Sequence, residues 1–265
     1  MYYLVLILAA VALVAGRPST VDRHNKLLDI DNHIDPNVVP TGKGKPFVTL
    51  INGPPATLAH HAGTTLEITC EAVAEPAPSV HWFKNDAPVY EYDKESNEII
   101  DTNPSSLARV TSTLLVSRSE DPAEYTCLVL AGSNTARAST LVYSADGSTD
   151  TSERSKLVPL APRILVSYKV LVDVMGNNVV LPCRVRGHPR PIVTWKTSNG
   201  QDASDDPRMK VLRSGELLIS DLRWSDMGEY YCQASNLFGS TETRTFVYPA
   251  KQRKAFTDKK VKSLE

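Results

Sequence analysis

The sequence lacks an excess of charge of either sign and lacks the motifs of common enzyme classes. Its 265 residues include 29 Lys and Arg against 30 Asp and Glu, which gives a formal net charge of -1. So small a net charge provides no general attraction for nucleic acid. No serine-nucleophile elbow, zinc-protease helix or phosphate-binding glycine loop occurs, and the six histidines are scattered. The sequence therefore predicts a protein that is not an enzyme, uses no cofactor or metal, and has no nucleic-acid partner.

Long apolar runs are also lacking once the first sixteen residues are passed. Residues 1–16 are apolar from Leu4 to Ala15 and end in small side chains, a pattern typical of a secretory signal peptide. The run is shorter than the ~20 residues that a membrane-spanning helix requires. The C-terminal residues 250–265 are rich in lysine rather than apolar. We therefore expect a secreted, extracellular protein with no membrane anchor.

Cysteine is scarce, and its four positions belong to a motif that occurs twice. In an oxidising compartment four cysteines favour two disulfides, for which three pairings are possible. Twelve residues after the first cysteine of each copy comes a tryptophan, and two residues before the second comes a tyrosine. Apolar residues alternate around each first cysteine, which predicts half-buried strands. The two copies are Cys70, Trp82, Tyr125 and Cys127, and Cys183, Trp195, Tyr230 and Cys232.

This spacing resembles the immunoglobulin sandwich, in which the tryptophan packs on the disulfide between the sheets and the tyrosine forms a corner hydrogen bond. The resemblance implies an all-β protein with two tandem I-set-like immunoglobulin sandwiches. It also implies disulfides within each copy, Cys70 to Cys127 and Cys183 to Cys232. Trp82, Trp195, Tyr125 and Tyr230 are then the core framework.

The predicted domain boundaries follow from the two motifs and the composition between them. The first motif spans 57 positions between its cysteines against 49 in the second, and we place the extra residues within 88–106. The segments are a signal peptide (1–16), a flexible leader (17–46), a first immunoglobulin-like domain (47–143), a linker (144–161), a second, I-set domain (162–249) and a basic tail (250–265).

The second domain goes beyond the general I-set pattern. Residues 173–185, 215–220, 224–228 and 245–249 closely resemble an insect family, the imaginal morphogenesis proteins, late class, and the likeness is weaker over the first domain. The resemblance implies a secreted binding protein that sequesters insulin-like peptide hormones and so antagonises insulin and growth signalling. The alternative is an extracellular adhesion or guidance immunoglobulin protein that acts in neural or ectodermal development.

Hormone binding requires exposed apolar side chains, and two segments are candidates. Val89, Tyr90 and Tyr92 lie in the inserted segment among acidic residues, although its Ile99 and Ile100 could instead form an added edge strand. Leu237 and Phe238 lie in a predicted hairpin turn. For that pair the sequence leaves two interpretations, packing against the neighbouring domain, which is the more common, and hormone contact. The predicted hormone contacts are Val89, Tyr90, Tyr92, Leu237 and Phe238.

Overall fold

The computed structural model describes residues 46–61, 63–89, 103–116, 122–145 and 159–251. The predicted signal peptide, the leader before residue 46, residues 90–102 of the insertion, residues 146–158 of the linker and residues 252–265 of the tail lie outside the described residues. Within the ranges that are described, no helix has the length and apolar character needed to cross a membrane.

The first sandwich contains eight strands in its described part. They are β1 (Phe47–Asn52), β2 (Thr57–His60), β3 (Leu66–Glu75), β4 (Ser79–Lys84), β5 (Ala87–Pro88), β6 (Leu107–Val116), β7 (Ala123–Ala131) and β8 (Asn134–Ser144). Strands β1, β3 and β6 form one sheet, and β2, β8, β7, β4 and β5 form the facing sheet. Along β7 every second residue is buried, so one face of this strand fills the core as its alternating sequence predicts.

The second sandwich contains a further eight strands. They are β9 (Leu160–Val174), β10 (Val179–Leu181), β11 (Cys183–His188), β12 (Ile192–Thr197), β13 (Met209–Val211), β14 (Leu217–Ile219), β15 (Gly228–Asn236) and β16 (Gly239–Ala250). Strand β9 begins inside the segment assigned to the linker, because its first residue, Leu160, already pairs with His188 of β11. Two short 3-10 helices, Ala203–Asp205 and Trp224–Asp226, lie between strands.

Each core is built around a disulfide and a buried tryptophan. The disulfides join Cys70 to Cys127 and Cys183 to Cys232. The two indole N–H groups are buried and find different acceptors: Trp82 donates to the Ser112 hydroxyl (3.0 Å), whereas Trp195 donates to a backbone carbonyl (2.9 Å). Both donors are therefore satisfied, as a buried indole requires.

The tyrosine corner of the second sandwich is joined to an ion pair that the sequence reasoning missed. The Tyr230 hydroxyl donates to the Asp226 carbonyl oxygen at 3.0 Å. The Asp226 carboxylate accepts two hydrogen bonds from the Arg208 guanidinium, at 2.9 and 2.8 Å. Because Tyr230 and Asp226 are both buried, the corner fixes the path of the chain into β15.

The two sandwiches share one sheet. Strand β6 pairs antiparallel with β9, from Leu107 opposite Val172 to Ser112 opposite Val166. Strand β9 in turn pairs in parallel with β16, and the resulting order is β1-β3-β6-β9-β16-β15-β12, with β11 also pairing with β9. A backbone ladder therefore joins the domains, which the sequence had predicted only as two sandwiches with a linker between them.

Candidate functional site

An apolar strip crosses the junction on one face of the shared sheet. Side chains that lie opposite each other in paired strands point to the same face. One row of paired residues crosses four strands in the order Val73, Arg109, Val170 and Phe246. The next row crosses three strands in the order Leu107, Val172 and Tyr248. Val73 alternates with the buried residues Ala72 and Ala74, and Ala72 belongs to the first core, so this is the face turned away from that core. We name six residues the junction strip: Val73, Leu107, Val170, Val172, Phe246 and Tyr248.

The junction strip has a buried floor and a partly exposed aromatic side. Its three valines and Leu107 are buried, whereas Phe246 and Tyr248 are partly exposed. The Trp224 ring stands edge-on against Tyr248, with 6.0 Å between centroids and 77° between planes. This edge-to-face arrangement is favourable and holds the indole beside the strip. Trp224 is 49% exposed, so its ring is available to a ligand.

Two ion pairs share this face, and one of them lies within the junction strip, because Arg109 stands between Val73 and Val170. Arg109 donates to the Glu71 carboxylate at 2.7 Å, and Arg244 donates to Glu229 at 3.1 Å. Burial acts to raise the pKa of Glu71, but hydrogen bonds from Arg109 and Asn52 outweigh it and hold that pKa below its usual value. Glu71 is therefore ionised at neutral pH and its charge is balanced by Arg109. The strip is thus apolar except at Arg109, whose charge is paired with Glu71, and the Glu229–Arg244 pair borders it beside Phe246.

The described members of the predicted hormone contacts, Val89, Leu237 and Phe238, are not part of this strip. Val89 is partly buried against the core and its backbone N–H donates to the Trp82 carbonyl oxygen at 2.8 Å. Tyr90, Tyr92 and the alternative edge strand at residues 99–100 lie outside the described residues. Leu237 is 88% exposed and Phe238 50% exposed, so the interpretation that this pair packs between the domains is wrong. Hormone contact by Val89, Tyr90, Tyr92, Leu237 and Phe238 stays a prediction.

Leu237 and Phe238 form the two-residue turn between β15 and β16, and Asn236 fixes this turn. Its side-chain amide donates to the carbonyl oxygens of Leu160 (2.8 Å) and Pro189 (3.0 Å), and its oxygen accepts the Phe238 N–H (2.8 Å). Ile192 lies on the neighbouring strand opposite Ser235 and is 71% exposed. We name Ile192, Leu237 and Phe238 the apolar tip. Its side chains project from a hydrogen-bonded base.

The described residues offer no evident metal centre. Among them, no group of three or more His, Cys, Asp and Glu side chains is placed to hold an ion.

The sequence reasoning missed the junction strip, for which a signal existed. In β16, Thr245 and Val247 are buried and alternate with Phe246 and Tyr248. The side chains that face outward on this strand are therefore apolar as well. Apolar residues at successive positions indicate a strand that has apolar surroundings on both faces.

Comparison with protein families gives two matches. The family described as "Immunoglobulin domain" matches residues 45–130, and the family described as "Immunoglobulin I-set domain" matches residues 162–248. The two matches correspond to the two sandwiches. They confirm the prediction of an all-β chain with two tandem immunoglobulin sandwiches.

Relatives of similar length share both domains. The chain is 35% identical over 254 residues to the neural/ectodermal development factor IMP-L2 of Drosophila melanogaster, covering 92% of each chain. It is 26% identical to the Zwei Ig domain protein zig-3 of Caenorhabditis elegans, covering 94% of this chain and 98% of the relative. The crystal structure of neural ectodermal development factor IMP-L2 superposes with a TM-score of 0.68 at 34% identity, over 78% of this chain and 96% of that one.

Proposed function

The chain belongs to the family of the neural/ectodermal development factor IMP-L2, and from this membership we propose a secreted protein that sequesters insulin-like peptide hormones. Sequestration lowers the free hormone and so antagonises insulin and growth signalling. The hormone part of the proposal is supported by the family resemblance of the second domain. The surface part is supported by the junction strip, which is formed only where the two domains meet.

The dimensions of the junction strip suit a small helical hormone. From β3 to β16 there are three interstrand spacings, about 14 Å in all at ~4.8 Å each. A helix with its side chains is about 10–12 Å across, so one helix can lie on the strip and contact strands of both domains. A hormone that presents an apolar surface to its receptor loses access to that receptor when the same surface is covered. Burial of the exposed parts of Phe246, Tyr248 and Trp224 supplies the affinity for this competition, over a floor that is already packed.

The ion pairs on this face supply orientation rather than affinity. Arg109 with Glu71 places one pair within the first row of the strip, and Glu229 with Arg244 places the other beside Phe246. Polar groups at the rim of an interface hydrogen-bond to the partner and exclude wrong orientations, whereas the apolar centre carries most of the binding energy. The aromatic residues Trp224 and Tyr248 are therefore the expected anchors.

The test is a calorimetric titration of the purified chain with an insect insulin-like peptide. Tyr248→Ala and Trp224→Ala should each weaken binding by about 1–4 kcal/mol, the range for an aromatic anchor. Tyr143→Ala is the matched control, because Tyr143 is 42% exposed on β8 of the first sandwich, in the other sheet from the strip. Thermal melts of all three variants report whether each one remains folded.

A second set of variants separates the strip from the other predicted contacts. Leu237→Ala with Phe238→Ala, and Tyr90→Ala with Tyr92→Ala, enter the same titration. Loss of affinity in these pairs and not in the strip variants would move the hormone surface to the hairpin turn or the inserted segment. No measurable binding by the parent chain would contradict the hormone function itself. Clustering of chain-coated beads without hormone binding would then favour the adhesion alternative.

A further inference from the structure

We propose that the apolar tip of the second domain docks on an anionic phospholipid surface. This inference goes beyond hormone binding and does not depend on it. The tip combines three features on the described residues: strongly exposed apolar side chains, a fixed backbone, and two exposed arginines in loops that contain no acidic residue.

The exposure of the apolar tip is unusual for a soluble domain. Leu237 is 88% exposed and Ile192 is 71% exposed, the two highest values among the large apolar side chains of the described ranges. Phe238, the other residue of the turn, is 50% exposed. Because Asn236 ties the turn to Leu160 and Pro189, the backbone that carries Leu237 and Phe238 is held in place before any binding.

The charge around the tip has one sign. Three loops meet there: 188–191, 212–215 and 236–239. Asn236 bonds the third loop to the first, and the Arg190 guanidinium donates to the Arg213 carbonyl oxygen at 3.0 Å, which bonds the first to the second. Arg190 and Arg213 are exposed, and the three loops contain no acidic residue.

The acid that follows the second loop does not oppose the two arginines. Glu216 is 1% exposed and forms an ion pair with Arg184. Glu242 lies three residues beyond the third loop and accepts a hydrogen bond from the neutral Gln233 at 2.6 Å, so it keeps its charge. The loops of the tip themselves carry Arg190 and Arg213 and no acid, which is the local charge that an anionic lipid surface attracts.

The shape of the tip favours a lipid surface over a protein partner. A stable protein interface buries about 800 Å² on each partner, far more than three side chains and two arginines can supply. A bilayer surface has no such minimum area, since shallow insertion of a few apolar side chains adds to the attraction of nearby cations and gives weak, reversible binding.

The tip is also remote from the junction strip. Eight residues of β15 separate Asn236 from Gly228, about 27 Å at ~3.4 Å per residue.

The test is vesicle flotation of the purified full chain. Vesicles of phosphatidylcholine alone are compared with vesicles in which about a third of the lipid is phosphatidylserine. The parent chain should float with the anionic vesicles only, and added salt should release it. Leu237→Ser with Phe238→Ser should lower the partition coefficient by about tenfold or more. Arg190→Gln with Arg213→Gln should remove the preference for phosphatidylserine.

Two controls isolate the apolar tip. Leu141→Ser with Tyr143→Ser removes an exposed apolar pair of β8, 42% exposed at each residue, and should leave flotation unchanged. The serine pair at the tip retains the basic tail, so the tail cannot account for a difference between that variant and the parent. Phe238→Trp provides a direct readout: its fluorescence should shift to the blue and be quenched by brominated lipid, relative to the parent chain measured in parallel.

Three results would overturn the proposal. The first is a parent chain that does not float with anionic vesicles. The second is equal flotation of the parent chain and the Leu237→Ser, Phe238→Ser variant, which would assign lipid binding to another segment. The third is flotation of the Phe238→Trp variant without any change in its fluorescence. That result would mean that the turn does not enter the lipid and that the contact is purely electrostatic. Hormone titration of the parent chain shows separately whether the proposed hormone function holds.

Discussion

Removal of the Arg208 guanidinium should destabilise the second sandwich more than loss of any exposed charge. Arg208 holds two carboxylates, Asp226 through two hydrogen bonds and Asp206 through one at 2.7 Å, and it also donates to the Asp221 carbonyl oxygen at 3.1 Å. In Arg208→Met the methionine keeps much of the volume and loses every donor. The Asp226 carboxylate, which is 4% exposed, then loses both bonds from Arg208 and keeps the bond from the Arg223 backbone N–H.

The magnitude follows from which carboxylate loses its partner. Breaking a buried pair by removal of one partner costs about 3–5 kcal/mol, because an uncompensated charge stays in a medium of low polarity. Asp206 is 34% exposed and contributes little, since water replaces the arginine there. Arg208 itself retains 18% exposure, so some water can reach the gap. We therefore expect the free energy of unfolding to fall by about 3 kcal/mol, the lower end of that range.

The same ion pair gives the stability of the domain a defined pH dependence. Burial acts to raise the pKa of Asp226, but the hydrogen bonds from Arg208 and the Arg223 N–H outweigh it, and the pKa lies below its usual value. A carboxyl whose pKa is lower in the folded than in the unfolded chain stabilises the fold above the unfolded value of about 3.9, and this contribution is lost as pH falls through the folded value. The difference between the parent chain and Arg208→Met should therefore shrink as pH approaches about 3.

Urea unfolding followed by tryptophan fluorescence measures both effects. Trp195 is fully buried beside the second disulfide and reports the unfolding of this sandwich. Arg223→Met is the matched control: Arg223 pairs with Asp221 at 2.8 Å, but both side chains are more than half exposed, so its loss should cost less than about 1 kcal/mol. Equal destabilisation by Arg208→Met and Arg223→Met, or a difference that does not shrink in acid, would refute the reasoning.

Three further predictions concern the corner, the junction and the edge of β6. Tyr230→Phe should cost about 1–3 kcal/mol in the urea assay, because it leaves the buried Asp226 carbonyl oxygen without this donor; an unchanged midpoint would count against the corner. Asn103→Ala should cost about 1–2 kcal/mol, since the Asn103 amide donates across the junction to the buried Asp173 (2.9 Å); thermal melting checks this. A fragment of residues 46–145 should self-associate in sedimentation, because β6 then exposes the backbone groups that pair with β9; a monomeric fragment would contradict this.

The core of each sandwich was predictable because its signal is local. A cysteine in one strand, a tryptophan in the next and a tyrosine two residues before the second cysteine have fixed spacing, since strand and turn lengths within one sandwich vary little. The acceptors of the indole N–H groups were not predictable. Ser112 accepts from Trp82, whereas the Gly215 carbonyl oxygen accepts from Trp195, and the backbone acceptor has no signature in the sequence.

The Arg208 ion pair shows why a charged partner escapes sequence reasoning. Arg208 stands eighteen residues before Asp226, on the other side of β14, and nothing in the repeated motif fixes that distance. The pairing depends on how the chain before β13 meets the corner before β15. This contact depends on the tertiary structure. In the sequence, an arginine that pairs with a buried carboxylate cannot be distinguished from an arginine exposed to solvent.

The junction is the largest feature that the sequence reasoning missed, although residues 170–172 of β9 carried a signal. Val170, Leu171 and Val172 form an unbroken apolar run, and all three are buried. A strand with one face in water alternates, whereas an unbroken run belongs to a strand covered on both faces or bordered by other strands. Leu171 faces the core, and the two valines form the floor of the junction strip beside Leu107 of β6. The surface proposed to bind the hormone therefore exists only because β9 completes the sheet of the first domain, so any change that separates β6 from β9 should abolish the strip even where both sandwiches stay folded.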